Sequence, residues 1–232
     1  MSLILNIETA TEICSVSLAE NGKLIALKED LEGQQHAKLL TVLIEEMFRE
    51  KNISIKELNA VAVSKGPGSY TGLRIGVSAA KGIAYAADIP LLAVNTLQAM
   101  ALGVSKSQDF NVETWFCPMI DARRMEVYTA FFDLQNNLMR EIAAEIIDEN
   151  SFSEILKERK IVFHGNGAAK CSKIIQSTNA IFIESMGCSA SHMVELSYHA
   201  FQNKQFADIA YFEPFYLKDF IATVPKNTIL GK

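Results

Sequence analysis

The stretch that decides the fold spans residues 59–94, NAVAVSKGPGSYTGLRIGVSAAKGIAYAADIPLLAV. It begins with a short apolar segment, residues 59–63, which predicts a buried strand. A glycine-rich loop follows, and residues 73–87 then predict a helix rich in small side chains. Residues 89–94 predict a second buried strand. Two apolar strands joined through a helix are typical of a parallel sheet with a crossover helix.

Three predicted strands precede this unit and pair as a meander, at residues 2–7, 13–18 and 23–28. Asn21-Gly22 is a strong two-residue hairpin turn between the last two of them. Residues 37–50 carry apolar side chains at helical spacing, and another helix begins near residue 97. The order β-β-β-α-β-α-β-α is that of a ribonuclease-H-like lobe.

After a polar break at residues 105–112, a similar order repeats in shorter form. The predicted strands cover residues 114–120, 126–132, 138–147 and 161–163, and the predicted helices cover residues 151–157, 168–176 and 190–202. We therefore predict an α/β protein of two domains. Residues 1–104 form a ribonuclease-H-like lobe, and residues 105–232 form a second, abbreviated lobe of the same type with a C-terminal helix and tail.

Composition narrows the class of protein. The 232 residues are 49% hydrophobic and 21% charged, which is typical of a globular chain with a substantial core. The net charge of −5 argues against broad, unaided nucleic-acid binding. No apolar run is long enough for a membrane span, and the first residues lack the pattern of a signal peptide. We expect a cytoplasmic protein with reduced cysteines and no membrane contact.

The loop GPGSYTG, residues 66–72, lies between a predicted strand and a predicted helix. Such loops can direct backbone N–H groups at a phosphate. The loop matches neither the P-loop pattern nor the dinucleotide fingerprint, whose last glycine is replaced here by Thr71. Spacing favours a simpler interpretation, a tight turn in which Pro67 fixes φ and the glycines adopt positive φ.

The helix after this loop is unusually rich in glycine and alanine. Each interior glycine costs about 1 kcal/mol relative to alanine, so a close approach of another backbone should offset that cost. That backbone belongs either to the chain's own sheet or to another chain. The pattern alone does not separate these two interpretations.

The first hairpin carries Glu8, Thr9 and Thr11, whose carboxylate and hydroxyl groups could hold the metal or phosphate of a nucleotide. The same residues could equally cap the turn. His36, at the start of a helix, is interpreted as a capping or surface residue, and residues 121–124 (DARR) as a charged hairpin connection. The sequence contains neither a G-x-S-x-G nucleophile motif nor an H-E-x-x-H metal motif.

Four stretches together resemble the TsaB (YeaZ) family: IETAT at residues 7–11, GPGSYTGLRIG at residues 66–76, IDAR at residues 120–123 with EVY at residues 126–128, and PFYLK at residues 214–218. The resemblance spans nearly the whole chain, and the glycine-rich string is its most specific part. It implies an ASKHA-type fold (the acetate-kinase, sugar-kinase, Hsp70 and actin group) of two ribonuclease-H-like lobes. It also implies a non-catalytic subunit of the bacterial machinery that adds threonylcarbamoyl to the adenosine 3′ of the tRNA anticodon.

Within that machinery, the resemblance implies a catalytic subunit, TsaD, and an ATPase, TsaE, which joins the complex. Catalytic relatives carry an H-x-x-x-H metal pair just after the strand that here ends near residue 94. The aligned positions are Thr96 and Met100, which cannot replace two imidazoles. We therefore predict no metal, no cofactor and no catalytic residue in this chain, and we expect contact with tRNA only through the complex.

Two departures from the family pattern bear on the site. Glu8 stands where many relatives have Asp, which moves the carboxylate by about 1.5 Å and weakens the case for nucleotide chemistry. Arg124 and Met125 stand where some relatives have Met and Gly, so the hairpin turn must form without glycine. A vestigial nucleotide site is assigned to Glu8, Thr9, Thr11, Gly66 and Gly68.

The predicted contact with TsaD uses one face of each of the helices at residues 37–50 and 73–87. Its residues are Leu39, Leu40, Leu43, Ile44, Met47, Gly72, Arg74, Ile75, Gly76, Ala79, Ala80 and Ile83. In the family the same helices can pair with a second copy, so a homodimer is a further expectation. On this hypothesis, a substitution of Arg74 or Gly76→Arg weakens the complex and leaves the fold largely intact.

The alternative is a stand-alone ASKHA small-molecule phosphotransferase, which ATP turnover by the isolated chain would reveal. Sugar kinases are usually longer and have fuller phosphate motifs in both lobes, whereas the second glycine turn here, residues 165–167, is short. A free-standing metallopeptidase is a third interpretation, and the residues at positions 96 and 100 disfavour it.

Overall fold

The computed structural model describes residues 2–33, 35–183 and 186–218 of the chain. The strands of the first sheet are β1 (Leu3–Glu8), β2 (Cys14–Glu20), β3 (Lys23–Asp30), β4 (Ala60–Ser64) and β5 (Leu91–Val94). The helices connected to them are α1 (His36–Lys51), α2 (Tyr70–Ala87) and α3 (Thr96–Ser105), with a short 3₁₀ turn at Ile55–Glu57.

The strands of the second sheet are β6 (Trp115–Asp121), β7 (Glu126–Phe132), β8 (Leu138–Ile146), β9 (Ile161–His164) and β10 (Ala180–Ile183). Its helices are the short α4 (Ser153–Glu158) and α5 (Ala168–Cys171). A 3₁₀ turn at Ala190–Met193 then leads into α6 (Val194–Gln202).

The two sheets have the same topology. The first has the strand order β3-β2-β1-β4-β5, and the second has the corresponding order β8-β7-β6-β9-β10. In each sheet the first three strands in the chain pair antiparallel, and the other two add in parallel. The predicted ASKHA-type α/β class with two ribonuclease-H-like lobes is therefore confirmed. The second lobe is abbreviated in its helices and complete in its strands.

Helices α1 and α2 cover one face of the first sheet. Strand β1 alternates, so that Leu5 and Ile7 point toward these helices, where they pack with Leu40, Met47 and Ala80. All five side chains are buried. This apolar layer is the core of the first lobe, and it fixes the end of β1 beside the start of α2.

Helix α3 lies between the two sheets and is apolar on nearly all sides. Leu97 and Met100 pack with Phe116 of the second sheet. On its other side, Ala99 joins a cluster that includes Leu92 of the first sheet. A helix buried all round is typical of the centre of a layered protein, and here it joins the two lobes.

The C-terminal helix belongs by packing to the first sheet. Met193 and the half-buried Leu196 contact the β1–β4–β5 face opposite α1 and α2, where Ile4 and Leu92 lie. The predicted division at residues 104 and 105 stays a prediction, but it placed this helix in the second lobe. After β10 the chain instead returns to the first lobe, because that face of the first sheet is apolar and is stable only when another element packs on it.

Two other details differ from the sequence prediction. The predicted helix at residues 168–176 ends at Cys171, and strand β10 was not predicted. Residues 219–232, at the end of the predicted second domain, lie outside the described residues. None of the helices within the described part of the chain has both the length and the apolar character needed to cross a bilayer.

Candidate functional site

Glu8 ends β1 at the first hairpin, and its carboxylate is turned into the protein. The residue is 1% exposed, and its Oε1 accepts a hydrogen bond from the Ala10 backbone N–H at 2.7 Å. Burial raises the pKa of this carboxyl group to about 7, against the lowering effect of hydrogen bonds from Ala10, Ser64 and Thr9. The carboxylate closes its own turn and does not face solvent.

Thr9 explains why α2 begins with small residues. Its Oγ1 donates to the Gly72 carbonyl oxygen at 2.8 Å. A Cβ atom at Gly72 would lie 2.1 Å from the Thr9 carbonyl oxygen, and one at Gly76 would lie 2.2 Å from Thr9 Oγ1. The backbone that approaches α2 here is therefore the chain's own first hairpin. The expectation that Gly76→Arg leaves the fold intact is wrong, because the position has no room for a side chain.

The glycine loop is closed by the same hairpin. A Cβ atom at Gly68 would lie 2.4 Å from the Ala10 carbonyl oxygen, which also accepts from the Ser69 N–H at 2.6 Å. Of the three loop glycines, Gly66 alone has a positive φ, 104°. The prediction of positive φ thus holds for Gly66, whereas Gly68 and Gly72 are required by close approach of the hairpin.

Three backbone donors of the loop are paired within the chain. The Gly66 N–H donates to Thr96 Oγ1 at 3.1 Å, and the Gly72 N–H donates to the capping Ser69 Oγ at 3.2 Å. Together with the bond from Ser69 to Ala10, these contacts occupy three of the N–H groups of the loop. The arrangement supports the interpretation of the loop as a packed strand-to-helix turn.

The other side of the first hairpin is also covered. Thr11 is buried, and its carbonyl oxygen lies 2.7 Å from His36 Nε2, so His36 ties the start of α1 to the hairpin. His36 is itself buried, which corrects its interpretation as a surface residue. The thiol of buried Cys188 lies near Thr11 and Glu8, and burial raises its pKa well above the usual value.

A C-terminal segment, residues 214–218, crosses the glycine loop. The Phe215 N–H donates to the Lys65 carbonyl oxygen at 2.7 Å. Tyr216 packs on Tyr70 with ring centroids 4.9 Å apart, and its hydroxyl oxygen accepts from Arg74 Nε at 3.2 Å. Lys218 then forms an ion pair with Glu126 of the second lobe. The sequence singled out this segment only as a motif, because contacts this far apart in the chain leave no local pattern.

The lobes also meet directly across the first hairpin. Asn166, in the glycine turn after β9, donates from Nδ2 to Glu12 Oε2 at 2.5 Å. Its Oδ1 accepts from the Asp121 N–H at 2.9 Å. Glu12 and Asn166 were not predicted as site residues. Their contact places the first hairpin of one lobe against the turn after β9 of the other, which corresponds to the glycine loop after β4.

The positions aligned with the metal pair of catalytic relatives serve packing. Thr96 is fully buried, and its Oγ1 accepts the hydrogen bond from Gly66. Met100 is buried, and its Cε would lie 2.6 Å from a Cβ atom built at Gly165. In the described part of the chain, no group of three or more His, Cys, Asp or Glu residues is arranged to hold a metal ion.

The predicted partner interface divides into two sets. Six positions are buried in the chain's own core or against its own hairpin, and in this fold they are not available to a partner: Leu40, Ile44, Met47, Gly72, Gly76 and Ala80. The other six are half-buried or exposed along the junction of α1 and α2: Leu39, Leu43, Arg74, Ile75, Ala79 and Ile83. The second set, which we call the α1–α2 seam, is the part of the prediction that can contact another chain.

Comparison with known proteins identifies the family. Residues 30–226 match the family described as "TsaD: tRNA N6-adenosine threonylcarbamoyltransferase". The chain is 29% identical over 225 residues to the tRNA threonylcarbamoyladenosine biosynthesis protein TsaB of Bacillus subtilis, with 93% of each chain covered. It is 38% identical over 134 residues to TsaB of Escherichia coli, a match that covers 58% of this chain and only 56% of the relative's length.

Comparison with solved structures points to the same family. The structure described as "YeaZ from Pseudomonas aeruginosa" is similar with a TM-score of 0.82 and 26% identity, over 94% of this chain and all of that one. Sequence and structure thus agree over nearly the whole length. The chain belongs to the TsaB (YeaZ) family, and it also matches the family described for the tRNA N6-adenosine threonylcarbamoyltransferases.

Proposed function

We propose that this chain is a non-catalytic subunit of a tRNA threonylcarbamoyladenosine biosynthesis complex and that it binds the catalytic subunit TsaD. The names of its relatives from E. coli and B. subtilis support the role in this modification. The observation that carries the proposal is the set of contacts that Thr96 and Met100 make within this chain. The resemblance aligns these residues with the metal pair of catalytic relatives, and here Thr96 accepts a hydrogen bond from Gly66 and Met100 packs in the core.

The closed first hairpin favours this proposal over a stand-alone phosphotransferase. In such an enzyme the hairpin carboxylate and the glycine loop would face a nucleotide. Here Glu8 bonds to Ala10, and the loop donors bond to Ala10, Thr96 and Ser69. The Glu8 carboxylate and three N–H groups of the loop are therefore committed to contacts within the chain, and we expect no nucleotide cofactor.

The α1–α2 seam is the surface that we assign to TsaD. Ile75, Ala79 and Ile83 follow one another at helical spacing along α2, next to Leu39 and Leu43 of α1. They are only partly buried by their own lobe. A Cβ atom at Gly82 would have no neighbour within 4 Å, so another backbone has room to approach there. Half-buried apolar side chains beside a small residue fit helix-to-helix docking.

The remaining partners follow from the same arrangement. A homodimer would use the α1–α2 seam, and it would therefore compete with TsaD. TsaE and tRNA join through the complex, since the net charge of −5 leaves little for unaided RNA binding. A protein with this role acts in the cytoplasm.

The test measures how strongly the Ala79→Arg variant of this chain binds purified TsaD, by calorimetry and light scattering. A long cation in the middle of the seam should weaken the complex at least tenfold, because its charge would be buried without a partner. The control is Ala169→Arg, the same change at an exposed site on α5 of the second lobe. It should bind normally, and both variants should keep the wild-type melting temperature within a few degrees.

Arg74→Ala provides a second probe at the edge of the seam. Its guanidinium is exposed and lies 4.3 Å from the centre of the Tyr70 ring. If Ala79→Arg and Arg74→Ala both bind TsaD with the wild-type affinity, the assignment of the seam is wrong. If the wild-type chain forms no complex with TsaD, the proposed function itself fails.

A further inference from the structure

The turn between β6 and β7 holds two arginines in a backbone conformation that arginine disfavours. Arg123 has a φ of 72° and Arg124 a φ of 51°. The Ala122 N–H donates to the Glu126 carbonyl oxygen and the Glu126 N–H to the Arg123 carbonyl oxygen, both at 3.1 Å, so residues 123–125 form the hairpin loop. Residues other than Gly, Asn and Asp are disfavoured at positive φ because their Cβ atom approaches the following carbonyl oxygen. Positions 123 and 124 thus hold arginine in a backbone conformation that favours Gly, Asn or Asp.

The backbone of this turn is held firmly in place. The Arg123 N–H donates to Asp121 Oδ1 at 2.8 Å. Lys170 Nζ donates to the carbonyl oxygens of Arg124 and Glu126, at 2.8 and 2.7 Å, and also pairs with Asp121. Asn166 connects Asp121 to the first lobe through Glu12. The turn is therefore a rigid tip at the junction of the lobes.

The two guanidinium groups differ from the other charges around them. Both residues are exposed, and within the described residues neither side chain makes a hydrogen bond, an ion pair or a ring contact. The neighbouring carboxylates, Asp121 and Glu126, are already paired with Lys170 and Lys218. Among the described residues, the tip therefore presents two cations that form no ion pair.

We propose that Arg123 and Arg124 each contact a phosphate group of the RNA that the complex modifies; this inference rests on the proposed function. Strained backbone that persists at a fixed site points to a use for the side chains it presents. The planar guanidinium matches phosphate, and phosphate contacts need only cations. The side chains that hold the tip in place, Asp121, Asn166 and Lys170, are polar or charged, as is usual around a phosphate contact. Two contacts of this kind are compatible with an acidic chain.

The test measures how strongly an unmodified tRNA transcript binds the complex of the full chain with TsaD, as a function of salt. The variant is Arg123→Asn with Arg124→Gly, which places residues that readily adopt positive φ at both positions. We expect the slope of log K against log salt to fall in magnitude by about 1.5, and the affinity at 0.1 M salt to fall about tenfold or more. The melting temperature of the variant should rise by a few degrees, because the strain is relieved.

The matched control removes two cations elsewhere, with Lys157→Ala and Lys160→Ala at an exposed edge of the second lobe. It should leave the salt slope unchanged. A wild-type slope for the arginine variant would overturn the proposal. So would a loss of TsaD binding with no change in slope, because that result would assign the tip to an acidic protein surface. Failure of the wild-type chain to bind TsaD at all would instead remove the proposed function, and this inference with it.

Discussion

At Glu8, a carboxyl group lies beneath the first hairpin with its pKa raised from 4.5 to about 7. Between these two values the folded chain keeps the proton that the unfolded chain releases, so stability falls as the pH rises from 4.5 to 7 and then levels. Glu8→Gln should lack this dependence. In urea titrations, we expect the free energy of unfolding of wild type relative to the variant to fall by about 3 kcal/mol across this window.

The pKa shift of His164 changes the stability with pH in the opposite direction. The effect of Glu8 is therefore measured as the difference between wild type and Glu8→Gln. Burial lowers the pKa of this fully buried imidazole from 6.5 to about 3. Only the unfolded chain is protonated between these values, so the contribution of His164 is complete above pH 6.5 and is lost as the pH falls. Both proteins carry His164, and their difference isolates Glu8. Parallel pH curves would contradict a buried, protonated Glu8.

Thr9 and Gly76 form a contact that a double-mutant cycle can measure. Gly76→Ala should destabilise the chain by about 1–3 kcal/mol, because the new Cβ would lie 2.2 Å from Thr9 Oγ1. In Thr9→Ala the closest remaining atom is Cβ, at 3.4 Å, so the double variant should lose less stability than the sum of the single variants. Chemical denaturation of the four proteins gives the coupling energy.

Gly82→Ala is the control on the same helix. A Cβ atom there meets nothing within 4 Å, so alanine should stabilise the chain by up to about 1 kcal/mol through helix propensity. A Gly76→Ala variant as stable as Gly82→Ala would show that the hairpin does not need glycine at position 76.

At the scale of elements, the segment at residues 214–218 connects the glycine loop to α2. Tyr216→Ala should lower the free energy of unfolding by about 1–2 kcal/mol, because it removes both the ring contact with Tyr70 and the hydrogen bond from Arg74. Tyr216→Phe keeps the ring and should cost about 0.5–1 kcal/mol. The control is Tyr211→Ala, whose side chain is 85% exposed. Thermal melts in which Tyr216→Ala matches wild type would remove this segment as a stabilising element.

The same scale shows what local sequence patterns can predict. Asn21-Gly22 predicts a hairpin turn, and both residues have positive φ, 49° and 75°. The apolar stripe at residues 37–50 predicts α1 to within one residue at each end. Both predictions depend on spacing within one segment, and there the sequence is a sufficient guide.

Elements that depend on distant contacts were predicted poorly. Residues 168–176 contain helix-forming side chains, yet the chain leaves the helix after Cys171 to place β10 beside β9. Within the candidate site, the glycines of α2 were recognised as a sign of close approach. That the approaching group is Thr9 follows only from the sheet, which brings the end of β1 to the start of α2.

At the scale of the whole molecule, contacts join the two lobes beside the first hairpin, where the Glu8 side chain is buried. Asn166 joins Glu12, Lys218 joins Glu126, and α3 packs against both sheets. We expect 1 mM Mg-ATP to leave the melting temperature of the isolated chain unchanged, because a ligand that binds only the folded state would raise it. A rise of several degrees that Glu8→Gln abolishes would instead favour the phosphotransferase.

The central claim is that the chain supports a reaction which another subunit catalyses. The most direct measurement is threonylcarbamoyl transfer to tRNA in a mixture of TsaD, TsaE, ATP and a threonylcarbamoyl-adenylate source, with and without this chain. We predict transfer only when the chain is present, none from the chain alone, and loss of transfer with Ala79→Arg. Equal transfer without the chain, or transfer by the chain in the absence of TsaD, would contradict the account.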